Sequence, residues 1–443
     1  MSDNIGKEAG IRSQDDDRQT CLIIHPHRKS VKQSSRSPES RLGECVSLAS
    51  AIDLMVAHAE IFNISKIVPA TYFGRGTVTK FKDVIEAEHV DVAIVDGQLS
   101  PVQQRNLERA WKCKVIDRTA LILEIFGNRA RTREGVLQVE LAALNYQRSR
   151  LVRSWTHLER QRGGFGFMGG PGETQIETDR RLIGNRITKL KLELAEVKRT
   201  RTLHRKSRKR NLNPVVALVG YTNAGKSTLF NQLTKANVST KDQVFATLDP
   251  TMRGLNLPSG RKVILSDTVG FVSDLPHELV NAFHATLEEV NEANIIVHVR
   301  DAAHSDTDSQ KEDVLVVLRQ MGITDEMYAG VIEVLNKVDL LSPEDREVLV
   351  SKAGRDNQIL IPVSALSGEG CSELLQALDG LLSQSMNLRD ITLDLDDGAS
   401  LAWLYDHGEV IDRHDDDRAI HIKVRLDPAN SARFDLRRSR HPH

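Results

Sequence analysis

One segment of this 443-residue chain reads Gly220-Tyr221-Thr222-Asn223-Ala224-Gly225-Lys226-Ser227. An apolar run (215–219) precedes it and a helical pattern (228–233) follows it. A strand, a G-x-x-x-x-G-K-S loop and a helix in this order predict a P-loop, whose backbone N–H groups surround phosphate oxygens. In such a loop Lys226 reaches the β- and γ-phosphates and the Ser227 hydroxyl ligates Mg²⁺. The sequence therefore predicts a nucleotide-binding domain.

Two later segments predict which base is bound. Asn336-Lys337-Val338-Asp339 follows an apolar strand about 110 residues after the P-loop, and Ser364-Ala365-Leu366 follows another. The Asp339 carboxylate can accept hydrogen bonds from guanine N1–H and the 2-amino group, whereas adenine would leave a buried carboxylate unpaired. Asn336 would tie this loop to the P-loop, Lys337 would cover the base, and a backbone N–H of residues 364–366 would bind guanine O6. We therefore predict GTP as substrate and GDP as product.

The segments between these motifs predict a γ-phosphate switch. Asp267-Thr268-Val269-Gly270 follows a strand pattern, so that Asp267 would hold Mg²⁺ through a water and the Gly270 N–H would contact the γ-phosphate. Upstream, Phe245-Ala246-Thr247-Leu248-Asp249-Pro250-Thr251 would supply a second Mg²⁺ hydroxyl, for which we choose Thr247 over Thr251. Two loops that the γ-phosphate and Mg²⁺ hold, and that hydrolysis releases, form a switch. The domain is predicted to be a GTPase with Lys226, Thr247 and Gly270 in catalytic roles.

Composition favours a protein that works inside the cell. Apolar residues make up 40% and charged residues 27% of the chain, which is typical of globular domains. No apolar run approaches the roughly 18 residues of a membrane-spanning helix. The N-terminus lacks the apolar core of a signal peptide. The four cysteines lie far apart without metal-ligand spacing, as expected in a reducing compartment. We expect a cytoplasmic protein with no membrane span, which argues against a membrane-transport GTPase.

Charge is segregated along a chain whose formal net charge is only −1. Residues 151–210 hold sixteen Lys and Arg against six Asp and Glu, and residues 390–417 hold ten acidic residues against one basic. Within the first stretch, the basic run Lys198 to Arg210 has eight basic residues and no acidic one. Such a run is often a solvated helix face or a linker. Because it has no acidic partner we favour phosphate contact, with Arg208, Lys209 and Arg210 as candidates.

Alternating strand and helix patterns predict the fold class and the domains. The fold class is α/β: a P-loop GTPase domain preceded by a small parallel α/β domain and a long antiparallel helical hairpin, with a small C-terminal α+β domain. In the first domain we predict an amphipathic helix from Cys45 to Val56 and then a strand at Lys66-Ile67-Val68. The predicted divisions are a disordered tail (1–19), the N-terminal domain (20–127), the hairpin (128–212), the GTPase domain (213–385), the C-terminal domain (386–426) and a loose tail (427–443).

A glycine-rich link joins the two predicted hairpin helices. It reads Gly163-Gly164-Phe165-Gly166-Phe167-Met168-Gly169-Gly170-Pro171-Gly172, which is more glycine than a helix turn needs. Open backbone, cations and stacking surfaces are what proteins use to bind RNA loops. A flexible connector is the alternative, but cations and aromatics bracket the glycines and favour RNA contact. The predicted RNA-binding residues here are Arg162, Gly163, Gly164, Phe165, Phe167, Arg180 and Arg181.

These motifs resemble those of the HflX family within the translation-factor-related P-loop GTPases. The resemblance is carried by F-A-T-L-D-P-T, D-T-V-G-F, R-G-G-F-G-F-M-G-G-P-G-E-T-Q-I-E-T-D-R-R-L-I, V-I-D-R-T-A-L-I-L-E-I-F and L-Q-V-E-L-A-A-L-N-Y, and it covers roughly residues 20–425. The glycine-rich segment is specific to that family. Family members are cytoplasmic GTPases that bind the large ribosomal subunit and are implicated in splitting stalled or idle ribosomes, notably under heat stress. The resemblance implies the same partner here, including its ribosomal RNA.

The residue after Gly270 bears on the rate of hydrolysis. Many GTPases carry a Gln there that orients the attacking water, but this chain has Phe271. We therefore expect slow intrinsic hydrolysis that the ribosome stimulates. P-loop GTPases that lack the Gln and carry Asn at the position of Asn223 often resemble potassium-stimulated enzymes, so Asn223 is a candidate catalytic ligand of K⁺. The alternative, that Asn223 only hydrogen-bonds the switch backbone, remains open.

Two functions are compatible with the sequence. In the first, a monomeric GTPase docks its hairpin on ribosomal RNA in the GTP state and splits or rescues ribosomes. In the second, a GTP-regulated RNA-binding or ribosome-assembly factor never separates the subunits. The second hypothesis would favour an N-terminal domain that binds its own nucleotide. Residues before 200 hold no second complete P-loop, and this absence makes the second hypothesis less favoured.

Overall fold

The computed structural model confirms the predicted fold class. No helix among the residues that it describes is long and apolar enough to cross a membrane. Most of the predicted N-terminal tail, residues 1–17, lies outside those residues. The described residues are 18–28, 36–161, 175–210, 213–236, 244–248, 250–273, 289–291, 293–324, 330–353, 359–384, 386–416, 418–426 and 428–440.

A four-stranded parallel sheet forms the N-terminal domain. Its strands are β1 (Thr20–His27), β2 (Met55–Asn63), β3 (Val92–Val95) and β4 (Lys114–Asp117), in the spatial order β2-β1-β3-β4. Its helices are α1 (Pro38–Ser50), α2 (Arg75–Ala87), α3 (Pro101–Trp111) and α4 (Arg118–Arg129). Successive side chains of a strand face opposite sides of a sheet. Cys21 and Ile23 pack with residues of α1 and α4, and Leu22 and Ile24 pack with residues of α2 and α3. Helices therefore cover both faces.

The second strand differs from the sequence prediction. Strand β2 runs over Met55–Asn63, where we predicted the end of a helix, and residues 66–68 contribute only an isolated bridge between Val68 and Tyr72. β2 is an edge strand whose residues are mostly half-buried. Its sequence consequently lacks the continuous apolar run that marked the central strands.

Two long helices form the predicted hairpin. They are α5 (Arg133–Gln161) and α6 (Gln175–Arg210). Leu137 packs against Leu190 and Leu194, and the Arg186 guanidinium donates two hydrogen bonds, of 2.7 and 2.9 Å, to the Glu140 carboxylate. These pairings align later residues of α5 with earlier residues of α6, so the helices are antiparallel.

A six-stranded sheet forms the GTPase domain. Its strands are β5 (Val215–Gly220), β6 (Thr251–Asn256), β7 (Lys262–Asp267), β8 (Ile295–Asp301), β9 (Ile332–Asn336) and β10 (Leu360–Pro362), in the order β10-β9-β8-β5-β7-β6. Its helices are α7 (Lys226–Thr234), α8 (Thr307–Gln320), α9 (Pro343–Ala353) and α10 (Cys371–Gln384). Only β6 pairs antiparallel to its neighbour. The parallel strands end at one edge of the sheet, which brings together the loops after β5, β7, β9 and β10.

The C-terminal domain is larger than predicted. Its strands β11 (Asn387–Asp394), β12 (Glu409–Asp415) and β13 (Ala419–Leu426) form an antiparallel sheet in the order β11-β13-β12. Its helices are α11 (Gly398–His407) and α12 (Pro428–Arg440). The prediction of a loose tail from residue 427 is wrong, because Phe434 of α12 is 2% exposed and packs with Leu404 of α11 against the sheet.

Candidate functional site

The loop between β5 and α7 has a backbone that requires glycine at two positions. Gly220 has φ +152° and Gly225 has φ +89°. A Cβ atom at Gly220 would lie 2.1 Å from the Val299 carbonyl oxygen, and one at Gly225 would lie 2.2 Å from Nδ2 of Asn336. Helix α7 begins at Lys226, directly after this turn. A tight glycine turn that opens a helix is an arrangement that binds phosphate.

Lys226 is buried and lines the pocket in front of this loop. Its Nζ donates hydrogen bonds to the carbonyl oxygens of Gly220, at 3.1 Å, and Tyr221, at 2.8 Å. Burial lowers the pKa of Lys226 to about 8, against the opposing attraction of the Asp267 carboxylate. An anionic phosphate in the pocket would favour the charged form of Lys226.

Three oxygen donors meet at the edge of the same pocket. Ser227 Oγ lies 2.8 Å from Thr247 Oγ1, and Asp267 Oδ2 accepts from Ser227 Oγ at 2.7 Å and from Thr247 Oγ1 at 2.8 Å. Burial raises the pKa of Asp267, and its other oxygen, Oδ1, is buried without a hydrogen-bond partner among the described residues. Two hydroxyls and a buried carboxylate with a spare oxygen fit the oxygen ligands that Mg²⁺ takes.

The segment after β7 is bonded to the P-loop through its backbone. The Phe271 N–H donates to the Gly220 carbonyl at 3.1 Å, and the Thr222 N–H donates to the Phe271 carbonyl at 2.7 Å. A Cβ at Gly270 would lie 2.9 Å from Thr222 Cα and 3.1 Å from Lys226 Nζ, so Gly270 must be a glycine here. The Phe271 ring is 1% exposed and packs in the hydrophobic core. It therefore offers nothing to orient an attacking water.

The loops after β9 and β10 are joined to the P-loop by Asn336. Its Nδ2 donates to the Ala224 carbonyl at 2.8 Å, and its Oδ1 accepts from the Ala365 N–H at 2.9 Å. Lys337 forms an ion pair with Asp301, with Nζ 2.7 Å from Oδ2. Asp339 is exposed beside them. The binding of guanine by Asp339 stays a prediction.

The structure brings ten of the predicted nucleotide-binding residues to one pocket. Asp339 and Leu366 are exposed, whereas Val338, Ser364 and Ala365 are buried in the turns that carry them. The predicted residues that line the phosphate pocket are Thr222, Asn223, Gly225, Lys226, Ser227, Phe245, Ala246, Thr247, Thr268 and Gly270.

A few predicted residues lie elsewhere. Leu248 and Val269 are buried in the hydrophobic core. The Tyr221 side chain does not line the phosphate pocket and instead contacts the N-terminal domain, where its hydroxyl accepts from Arg36 at 2.8 Å and donates to Glu44. Asp249 is outside the described residues.

The predicted RNA-binding residues are described only in part. Arg180 and Arg181 are exposed on α6. Arg208, Lys209 and Arg210 belong to the last turn of α6, so the basic run Lys198 to Arg210 is helical. The described residues exclude Arg162, Gly163, Gly164, Phe165 and Phe167.

The N-terminal domain supplies contacts to the site that sequence reasoning missed. Arg118 Nη2 donates to Ser273 Oγ at 2.8 Å, just after the Phe271 segment. The Phe126 ring lies edge-on to Phe245, with centroids 4.6 Å apart at 75°. These partners are more than a hundred residues apart, and no local pattern marks them.

Comparison with known proteins covers most of the chain. Family models match the GTP-binding GTPase N-terminal region over residues 39–127, its middle region over residues 129–208, a 50S ribosome-binding GTPase over residues 215–337 and an HflX C-terminal domain over residues 348–443. The chain is 49% identical to the GTPase HflX of Magnetococcus marinus over 388 residues, which is 88% of each chain. It is 43% identical to the GTPase HflX of Escherichia coli over 360 residues, covering 81% of this chain and 83% of the relative.

A solved structure also resembles the chain. The crystal structure of SsGBP in complex with GDP is 25% identical, with a TM-score of 0.48, and the match covers 83% of this chain and 99% of that one.

Proposed function

Because the chain belongs to the HflX family of GTPases, we propose that it binds the large ribosomal subunit and couples GTP binding and hydrolysis to the splitting or rescue of stalled or idle ribosomes under stress. The chain is a GTPase, which binds GTP and GDP and hydrolyses GTP. The family is associated with ribosomes, and the model that matches residues 215–337 is described as a 50S ribosome-binding GTPase. A cytoplasmic monomer is part of the proposal.

The observation that carries the proposal is the oxygen cluster of Ser227, Thr247 and Asp267. Thr247 comes from the segment before β6 and Asp267 from the end of β7, yet both lie within hydrogen-bond distance of Ser227. These residues would hold Mg²⁺, with Asp267 acting through a water. Bound there, Mg²⁺ would neutralise charge on the β- and γ-phosphate oxygens. In this conformation Thr247 lies in the cluster, and the γ-phosphate and Mg²⁺ of the GTP state would hold its segment there.

Catalysis would depend on the chain's own cations and amides. The Lys226 ammonium would leave its two carbonyl acceptors and bind the γ-phosphate, where it stabilises negative charge as the terminal bond breaks. The Gly270 N–H would donate to a γ-phosphate oxygen and couple hydrolysis to movement of the Phe271 segment. Because Phe271 is buried in the core, the group that positions water has to come from elsewhere. We therefore expect slow intrinsic hydrolysis, and we propose that the ribosome stimulates it.

The hairpin is proposed as the arm that binds ribosomal RNA. Helix α6 carries exposed Arg180 and Arg181 near its start and the basic run Lys198 to Arg210 at its end. A long helix spans about 1.5 Å per residue, so the cations of α6 are spread over roughly 50 Å. Several phosphates can be contacted along such a length, and the affinity should fall steeply with salt.

Sedimentation of 70S ribosomes tests the proposal. Ribosomes incubated with the protein and a non-hydrolysable GTP analogue are expected to release free subunits, because the GTP state docks the arm. GDP in place of the analogue should leave the 70S peak intact. A bound but intact 70S peak with the analogue would instead support the alternative, a GTP-regulated RNA-binding or assembly factor. An unbound protein under all conditions would contradict both.

Potassium dependence is a separate prediction at Asn223. Asn223 is exposed, has φ +59° and lines the phosphate pocket, where its side chain can coordinate a monovalent cation. We expect single-turnover hydrolysis to be about tenfold faster in K⁺ than in Na⁺, on the scale of one added electrostatic contact to the transition state. An Asn223→Ala variant should lose the difference. Equal rates for the wild-type protein in the two salts would contradict the K⁺ role. The alternative would then remain, in which Asn223 only hydrogen-bonds the backbone of the switch.

A further inference from the structure

Ser273 is held by three side chains through all of its polar groups. Its N–H donates to the Tyr221 hydroxyl at 2.7 Å, and its carbonyl oxygen accepts from Arg118 Nε at 3.3 Å. Its hydroxyl accepts from Arg118 Nη2 at 2.8 Å and donates to Glu44 Oε2 at 3.1 Å. Glu44 lies on α1 and Arg118 on α4 of the N-terminal domain. Two of the three partners therefore come from outside the GTPase domain.

These partners are themselves fixed by buried charges. Arg118 is 3% exposed and forms ion pairs with Glu44, at 3.2 Å, and with Asp96, at 2.8 Å. Asp96 also accepts from His25 at 2.7 Å. Moving Arg118 away from Glu44 and Asp96 would leave buried charges uncompensated, which is costly. The two ion pairs therefore hold the Arg118 side chain in one position. The Arg118 guanidinium is thus a rigid support for Ser273.

A second contact supports the other switch segment. Phe245 is 2% exposed and has φ +56°, a backbone conformation that residues with a side chain rarely adopt. Its ring packs against Phe126 of α4. Thr247, two residues later, lies in the oxygen cluster with Ser227 and Asp267. Packing against α4 therefore maintains an otherwise unfavourable conformation that brings Thr247 to the cluster.

We propose that Glu44, Arg118 and Phe126 of the N-terminal domain are positioning residues of the GTPase site. Through Ser273 and Phe245 they hold Gly270 and Thr247 where the γ-phosphate and its metal ion are bound. GDP lacks the γ-phosphate and does not use these contacts. The N-terminal domain accordingly increases the preference for GTP over GDP, and by linkage GTP tightens the docking of α4.

Matched substitutions test the proposal without the ribosome. Arg118→Lys keeps the positive charge but loses the planar guanidinium, whose Nε and Nη2 both donate to Ser273. Ser273→Ala removes the hydroxyl while Arg118 and Glu44 stay paired. In both variants we expect affinity for a non-hydrolysable GTP analogue to fall about tenfold more than affinity for GDP, within the usual range of couplings between sites. Arg150→Lys is the control. Arg150 is a part-buried arginine paired with Asp117 at 2.5 Å, and its hydrogen-bond partners among the described residues lie in the N-terminal domain.

The outcome is read from the ratio of the two affinities. An unchanged ratio in Ser273→Ala, or the same change in Arg150→Lys as in Arg118→Lys, would overturn the proposal. Amide hydrogen exchange of the wild-type protein gives an independent reading: residues 118–129 should exchange more slowly with the GTP analogue than with GDP. Equal exchange would count against the coupling. Neither measurement involves ribosomes, so a failure here is separate from a failure of the proposed ribosomal function.

Discussion

Replacing Asp339 with Asn is expected to change the base preference of this GTPase from guanine to xanthine. The carboxylate of Asp339 would accept from guanine N1–H and from the 2-amino group. An Asn side chain presents an N–H toward the 2-amino group, which leaves two donors facing each other. Xanthine carries a carbonyl oxygen at that position and can accept from the Asn. We expect GTP affinity to fall about a thousandfold, within the discrimination reached by sites built on paired polar groups.

Equilibrium binding of fluorescent guanine and xanthine nucleotides measures the change. Asp301→Asn is the control, because Asp301 is a neighbouring carboxylate that pairs with Lys337 and is not predicted to bind the base. The control substitution should weaken the binding of guanine and xanthine nucleotides by the same factor. If the Asp339→Asn protein still prefers guanine, or if the control changes the preference, the base site lies elsewhere.

The nucleotide site could be predicted because each of its parts is a short contiguous motif. The P-loop motif is one example: Gly220, Gly225, Lys226 and Ser227 lie within one short segment and are predicted to act on one ligand, so their spacing alone carries the prediction. Parallel strands then bring the other motifs to the same edge of the sheet. Local pattern and global fold agree here. The predicted roles of the individual residues still rest on the binding and kinetic tests.

What the sequence did not reveal depends on contacts between distant residues. Tyr221 lies inside the P-loop motif, yet its side chain contacts Glu44 and Ser273 because the N-terminal domain packs on that side. Helix α12 was missed for a related reason. Its sequence is rich in arginine and carries only a weak signal for a helix. The helix is stabilised by tertiary contacts, because Phe434 packs against the sheet. Strand β2 was missed because edge strands are only half-buried.

Two threonines in one segment provide a sharp test of the metal site. Thr247 Oγ1 lies 2.8 Å from both Ser227 Oγ and Asp267 Oδ2, whereas Thr251 begins β6 and pairs through its backbone with Asp267. Thr247→Ala should lower single-turnover GTP hydrolysis by about a hundredfold or more, the usual cost of removing one group that stabilises charge in the transition state. GDP affinity should be almost unchanged, because Thr247 is needed only in the closed state.

Thr251→Ala is the matched control for the same experiment. It removes the same atoms from a residue four positions later and keeps the backbone pairing of β6, so hydrolysis should stay within about twofold of the wild-type rate, as for most changes away from a site. Rates measured over a range of Mg²⁺ concentrations separate the two explanations. A Thr247→Ala protein whose rate recovers at high Mg²⁺ has lost affinity for the ion, and one that stays slow has lost closure of the switch. If the Thr251→Ala protein is inactive and the Thr247→Ala protein is active, the choice between the two hydroxyls is reversed. The contacts of Thr247 with Ser227 and Asp267 would then have no part in hydrolysis.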